Sequence, residues 1–116
     1  MIRQVFIADD DDAILDALEL ILSADGYQVT CSNDGREIFK HLEQPPDIFL
    51  LDIWMSGVDG TDLCLALKSD EETKNIPVIL ISAHQDIAQI AQEAGADGYL
   101  VKPFEIKELI ELLKKY

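Results

Sequence analysis

Three short stretches of the chain are apolar at nearly every position and stop at a polar residue. Val5-Phe6-Ile7-Ala8 runs into Asp9-Asp10-Asp11-Asp12, Ile48-Phe49-Leu50-Leu51 into Asp52, and Pro77-Val78-Ile79-Leu80-Ile81 into Ser82. Such unbroken runs are the pattern of strands buried on both faces and ending at water. Two more strands are predicted at Tyr27 to Cys31, which is rich in β-formers, and at Gly98-Tyr99-Leu100-Val101, which ends at Lys102-Pro103.

Between these runs the apolar spacing becomes helical. Ile14, Leu15, Leu18, Ile21 and Leu22 predict a helix stopped at Asp25-Gly26. Asn33 or Asp34 is placed to cap a short helix carrying Ile38, Phe39 and Leu42, which Pro45-Pro46 ends. After the loop from Trp54 to Gly60, a third helix turns Leu63, Ala66 and Leu67 inward. Ile87, Ile90, Ala91 and Ala94 give a fourth helix up to Gly95, and Ile106, Leu109, Ile110 and Leu113 a closing amphipathic one.

Five strands alternating with five helices imply right-handed crossovers and a doubly wound α/β domain, a parallel sheet covered on both faces. The length, 116 residues, suits one domain, and residues 1–116 are read as one unit. In such sheets ligands and chemistry gather at the carboxyl ends of the strands. The polar residues expected there are Asp9, Asp10, Asp52, Ser82 and Lys102.

The composition, 48% apolar and 28% charged, allows an ordinary packed core. A net charge of −14 disfavours unaided binding to nucleic acid or to an anionic membrane. No apolar run approaches the roughly 20 residues of a membrane span and no signal segment opens the chain, which predicts a cytoplasmic location. Cys31 and Cys64 form no metal-type pair and no disulfide framework, in keeping with a reducing compartment.

Charge bears most directly on the strand ends. Three carboxylates on one rim repel one another by about 1 kcal/mol per pair at about 4 Å in water, and by several-fold more when partly buried. A cation relieves that, and carboxylate oxygens with room for water suit Mg²⁺. With a metal beside it, Asp52 is a candidate nucleophile toward phosphorus, forming an aspartyl phosphate. Lys102 would bring a second positive charge and the Ser82 hydroxyl a hydrogen bond to a phosphoryl oxygen. Each residue alone has a plainer reading: the Asp run, Asp12 especially, as a helix-capping loop, Asp52 as a turn residue, Ser82 as a cap and Lys102 as a solvated strand end. Their joint placement on one rim favours a phosphoryl-binding cup. An EF-hand is excluded, since Asp9 and Asp11 are followed by Ala13 with no Gly where that loop needs one. Neither GxGxxG nor GxxxxGK[ST] follows any strand.

With those residues in place, the chain resembles the receiver domain of two-component response regulators over essentially its whole length. Ile7-Ala8-Asp9-Asp10-Asp11 is similar to the family's acidic metal-binding pair and Asp47-Ile48-Phe49-Leu50-Leu51-Asp52 to its phosphoacceptor strand. Ile81-Ser82-Ala83 is similar to its hydroxyl strand, and Gly95-Ala96-Asp97-Gly98-Tyr99-Leu100-Val101-Lys102-Pro103-Phe104 to its last strand. The resemblance implies a flavodoxin-like (βα)5 fold with strand order 2-1-3-4-5. It implies that Asp52 accepts a phosphoryl group from a phosphohistidine on a sensor histidine kinase or histidine phosphotransfer protein. Asp10, Asp52 and the Trp54 backbone carbonyl would ligate Mg²⁺, with Asp9 holding a metal-bound water. Ser82 and Lys102 would contact the phosphoryl group, and the Lys102–Pro103 bond would be cis. Tyr99 would be the switch aromatic, turning inward when Ser82 is drawn to the phosphate. The output would be read by an output domain or target protein on the face made by the fourth helix, fifth strand and fifth helix, which carries Gln85, Gln89, Gln92, Glu93 and Tyr99. The chain would act as a monomer or as a phosphorylation-promoted dimer, and would turn over no outside substrate, catalysing only its own phosphorylation and dephosphorylation.

Two departures from the family pattern bear on these expectations. Ser56 stands where the family commonly has Pro, which loosens a backbone constraint in that loop. Trp54, two residues past Asp52, and His84, two past Ser82, occupy positions that flank the phosphoryl group in the family and influence its hydrolysis. Trp54 is expected either to shield the acyl phosphate from water or to serve as a partner-contact aromatic. The rival reading is a receiver-like interaction or dimerisation module that is never phosphorylated, against which the presence of all five site residues argues. A small Mg²⁺-dependent phosphatase would want an acid two residues after the nucleophile, where this chain has Trp54. Because Lys114-Lys115-Tyr116 closes directly on a helical pattern, the chain is expected to be a receiver cut from a longer regulator or hybrid kinase.

Overall fold

The fold was examined in a computed structural model that describes residues 2–41, 44–55 and 57–116. Two sequence expectations, Leu42 on the second helix and the loosening effect of Ser56, lie outside the described residues. Strand β1 (Gln4–Ala8) leads into helix α1 (Asp12–Ala24) and strand β2 (Gln28–Ser32), followed by a 3-10 helix (Gly35–His41). Strand β3 (Ile48–Asp52) is followed by a short hairpin, β4 (Trp54–Met55) and β5 (Val58–Asp59), and by helix α2 (Gly60–Ser69). Strand β6 (Val78–Ser82), helix α3 (Ile87–Ala94), strand β7 (Gly98–Val101) and helix α4 (Ile106–Leu113) complete the order.

The main sheet is parallel, in the order β2-β1-β3-β6-β7. With the hairpin set aside, that is the 2-1-3-4-5 arrangement expected from the sequence. Alternate residues of each strand point to opposite faces, and both faces are covered. Phe6, Ala8, Phe49, Leu51 and Leu80 pack beneath α2 and α3, with Phe6 and Phe49 edge to face at 6.1 Å between ring centres. Val5, Ile7, Leu50, Ile79 and Ile81 pack against α1 and α4. Burial on both sides is why β1, β3 and β6 read as continuous apolar runs.

Local chemistry explains where the elements start and stop. The Asp11 carboxylate accepts hydrogen bonds from the N–H groups of Ala13 and Ile14, so Asp11 rather than Asp12 caps α1. Asp12 sits in the first turn, where a negative charge complements the helix dipole. Gly26 adopts φ of +95°, which only glycine takes up readily, and releases the chain into β2. Three inward assignments are corrected. Phe39 is exposed while its neighbour Ile38 is fully buried, since the 3-10 turn eclipses residues three apart and offers the core a narrower stripe than an α-helix. Ala66 faces water and Cys64 takes the inward place between Leu63 and Leu67, its Sγ 3.4 Å from the Ala94 carbonyl. Ile106 opens α4 and is half exposed, because the helix turns Leu109 and Leu113 to the core instead.

Candidate functional site

The register of the parallel strands gathers the predicted polar residues at one end of the sheet. Asp52 closes β3 beside Ile81 of β6, Ser82 closes β6 beside Val101, and Asp9 follows directly on Ala8, which pairs with Leu51. Carboxylate oxygens of Asp9, Asp10 and Asp52 all lie within 4.8 Å of one another. Asp9 and Asp52 are buried, and Asp10 is exposed.

Lys102, one residue past β7, reaches across this end. Its Nζ lies 3.0 Å from Asp9 Oδ2 and 3.6 Å from Asp52 Oδ1. The second Asp9 oxygen accepts the Asp11 N–H at 3.0 Å, so both oxygens of this nearly inaccessible carboxylate have donors. Burial by itself would lower the Lys102 ammonium, but the Asp9 hydrogen bond and the charges of Asp9 and Asp52 hold it above the ordinary lysine range. Asp52 moves the other way from most paired carboxylates. Burial and then the Asp9 charge push it up to about 6, against the opposing pull of Lys102 and a hydrogen bond from the Trp54 backbone. At Asp52 the Lys102 charge does not offset burial and the neighbouring Asp9 charge.

Ser82 is 1% exposed, and its Oγ accepts the backbone N–H of His84 at 3.0 Å. The hydroxyl is thus held at the rim in a loop that leads straight to α3. The Lys102–Pro103 peptide is cis, as the resemblance implies. Tyr99 is not part of the cup: three residues before Lys102 on β7, it lies 44% exposed. Trp54 is 64% exposed, at the start of the hairpin where it pairs with Asp59. His84 is exposed, and its Nδ1 accepts the Asp86 N–H at 3.0 Å.

Two features of the site escaped the sequence reading. The first is the Trp54–Asp59 hairpin, whose two-residue strands are too short to show a period. The second is Gly60. A Cβ at this position would stand 2.3 Å from the Asp52 carbonyl oxygen and 2.8 Å from the Ile53 Cα, so α2 can start this close to the end of β3 only with glycine there. Its N–H donates to the Ile53 carbonyl at 2.9 Å. The Asp59-Gly60 pair ahead of a helical run is the available signal, although the sequence pattern places both residues in the loop that precedes the helix.

A doubly wound 2-1-3-4-5 sheet with paired acids after its first strand, an aspartate at the end of its third and a lysine after its last defines a receiver architecture. The chain belongs to the response regulator receiver domain family, whose model matches residues 5–114. It is similar to a Chloroflexus aurantiacus protein described as a candidate response regulator, at 35% identity and a TM-score of 0.92, covering 99% of this chain and 97% of that one. It is also similar to the chemotaxis response regulator CheY4 of Vibrio cholerae, at 25% identity and a TM-score of 0.91, over 99% and 98% of the two chains. A third neighbour is the receiver domain of the sensor histidine kinase PA1611 of Pseudomonas aeruginosa, at 25% identity and a TM-score of 0.89, over 100% and 98%. That domain carries a magnesium ion coordinated in its active-site cleft. No helix among the described residues is long and apolar enough to cross a membrane.

Proposed function

We propose that this receiver domain is a phosphorylation switch in which Asp52 is the phosphoacceptor. The observation that carries this reading is the cup itself: three carboxylates within 4.8 Å, with Asp52 among them pushed up to about 6 and the Lys102 ammonium 3.6 Å from it. That charge excess suits a divalent cation with hard oxygen ligands, and Asp9, Asp10 and Asp52 supply them. Asp10, Asp52 and the Trp54 carbonyl would hold Mg²⁺ directly, and Asp9 would act through a water. When bound, the ion would offset charge on the phosphoryl oxygens and on the attacking carboxylate.

The chain's own groups account for the rest. An Asp52 carboxylate oxygen attacks phosphorus, a P–O bond forms, and the P–N bond to the donor histidine breaks as the imidazole leaves. Lys102 stands beside the nucleophile and is placed to pair with the new phosphoryl charge. The Ser82 hydroxyl turns from the His84 N–H to a phosphoryl oxygen, and Tyr99 follows by turning inward. The domain itself turns over no external substrate.

The donor would be a sensor histidine kinase or a histidine phosphotransfer protein. The partner would be an output domain or target protein on the face formed by α3, β7 and α4. That face exposes Tyr99 among Gln85, Gln89, Gln92 and Glu93, a set of amide and acidic groups that suits a polar or basic partner. Charge reversal at Glu93 and Glu108 should weaken a titrated partner severalfold, and undiminished binding would count against this face. The switch itself is tested by incubating the chain with acetyl phosphate, with and without Mg²⁺, and reading intact mass beside Asp52→Asn. A single Mg²⁺-dependent phosphoryl adduct, absent from the variant, is expected. A folded, Mg²⁺-binding chain that takes up no phosphoryl group under any donor would point to the rival reading, an interaction module that works unphosphorylated.

A further inference from the structure

The four residues between β6 and α3 are held by two hydrogen bonds in series, each from a backbone N–H to the side chain two residues earlier. The His84 N–H donates to Ser82 Oγ at 3.0 Å, and the Asp86 N–H donates to His84 Nδ1 at 3.0 Å. Asp86 is the residue from which α3 departs, and its own side chain caps nothing. The first turn of α3 also contains no acid to complement the dipole. The start of this eight-residue helix is therefore fixed from upstream at His84, whose carbonyl accepts the Ile87 N–H at 3.2 Å and whose imidazole nitrogen does for Asp86 what an Asn oxygen does in an Asx turn.

We propose that His84 is a positioning residue that ties the first turn of α3 to the Ser82 hydroxyl, so that a change in Ser82 bonding reaches the α3–β7–α4 face through this loop. The proposal rests on the reading of Ser82 as a phosphoryl contact. When Ser82 Oγ leaves the His84 N–H, the residue carrying the second acceptor loses its anchor, and the geometry of the Asp86 bond changes with it. His84 then acts on α3 by where its ring stands, without touching the phosphoryl group.

The test compares the parent chain with His84→Asn, which keeps a side-chain acceptor at the δ position, and His84→Ala, which has none. Amide hydrogen exchange is read at Asp86 and along Ile87–Ile90, before and after phosphorylation by acetyl phosphate with Mg²⁺, with intact mass taken on the same samples. In the unphosphorylated chains, His84→Ala should exchange at Asp86 about fivefold faster than the parent, while His84→Asn stays within about twofold. On phosphorylation, exchange across the first turn of α3 should shift in the parent and in His84→Asn, and shift less in His84→Ala at equal adduct. Asn behaving like Ala, or Ala like the parent, would overturn the proposal. An absence of adduct in the parent would instead remove the switch reading, and the unphosphorylated comparison would still decide whether His84 holds α3.

Discussion

The Lys102 ammonium lies closer to Asp9 than to Asp52, 3.0 Å against 3.6 Å, although Asp52 is the proposed phosphoacceptor. The better-buried carboxylate takes the stronger bond, and the proposed nucleophile is left only partly neutralised. In this arrangement the Lys102 charge only partly offsets the burial of Asp52.

The first prediction concerns that unrelieved charge. The folded-state pKa of Asp52, about 6, lies above its ordinary 3.8, so ionising it opposes folding. The opposition is absent below about pH 4, grows up to about pH 6 and is complete above it. Metal-free Asp52→Asn should therefore be more stable than the parent at pH 7.5, by about 1 to 2 kcal/mol once solvent screening is allowed for. Thermal unfolding from pH 4 to pH 8 should show the gap opening with rising pH, and a gap that widens toward acid would refute the assignment.

Lys102→Met leaves the buried Asp9 without its ammonium. We expect the metal-free variant to lose about 2 kcal/mol in urea unfolding, the cost of an uncompensated buried charge softened by nearby water. Millimolar Mg²⁺ should restore more than half of the loss, because the ion would bring positive charge to Asp52 directly and to Asp9 through a water. Equal losses with and without Mg²⁺ would mean that lysine and metal do not share Asp9.

Gly60→Ala drives a methyl group into the backbone of Asp52 and Ile53, neither of which can swing aside as a side chain would. The expected results are a stability loss of about 2 kcal/mol and an approximately tenfold slower uptake of phosphoryl from acetyl phosphate, through displacement of the nucleophile. A variant with parental uptake would show that the end of β3 can shift without consequence.

Trp54 is mostly exposed, so Trp54→Asn should leave stability within about 0.5 kcal/mol of the parent. If the indole keeps water from the acyl phosphate, the variant should lose its adduct severalfold faster when decay is followed by mass after donor removal. Unchanged decay would leave the ring as a partner contact.

How much of this was readable in the chain follows from how the fold buries it. Strands β1, β3 and β6 are enclosed on both faces, so Val5–Ala8, Ile48–Leu51 and Val78–Ile81 are apolar throughout and the polar residue after each run stands out. The edge strand Gly98–Val101 leaves Tyr99 and Val101 open to water, and it is legible from its β-forming residues and the Lys102 that follows. What stayed hidden depended on geometry that spacing does not carry. Phe39, Ala66 and Ile106 fit a helical period, yet the 3-10 geometry, the phase set by Gly60 and the start of α4 turned them to water. The distribution of one ammonium between two carboxylates and the His84–Asp86 bond are settled by ångströms, and no pattern of residue types records them.

The bond between Asp9 and Lys102 joins residues 93 positions apart. During synthesis the acidic end of β1 leaves the ribosome long before its lysine exists, and a nascent chain stopped short of β7 holds its carboxylates with no ammonium among them. The rim can close only when nearly the whole domain has been made, so unfinished copies would lack the electrostatic arrangement that the proposed phosphoryl uptake requires. Completion of the domain through Lys102 is thereby a condition for assembling the charged rim.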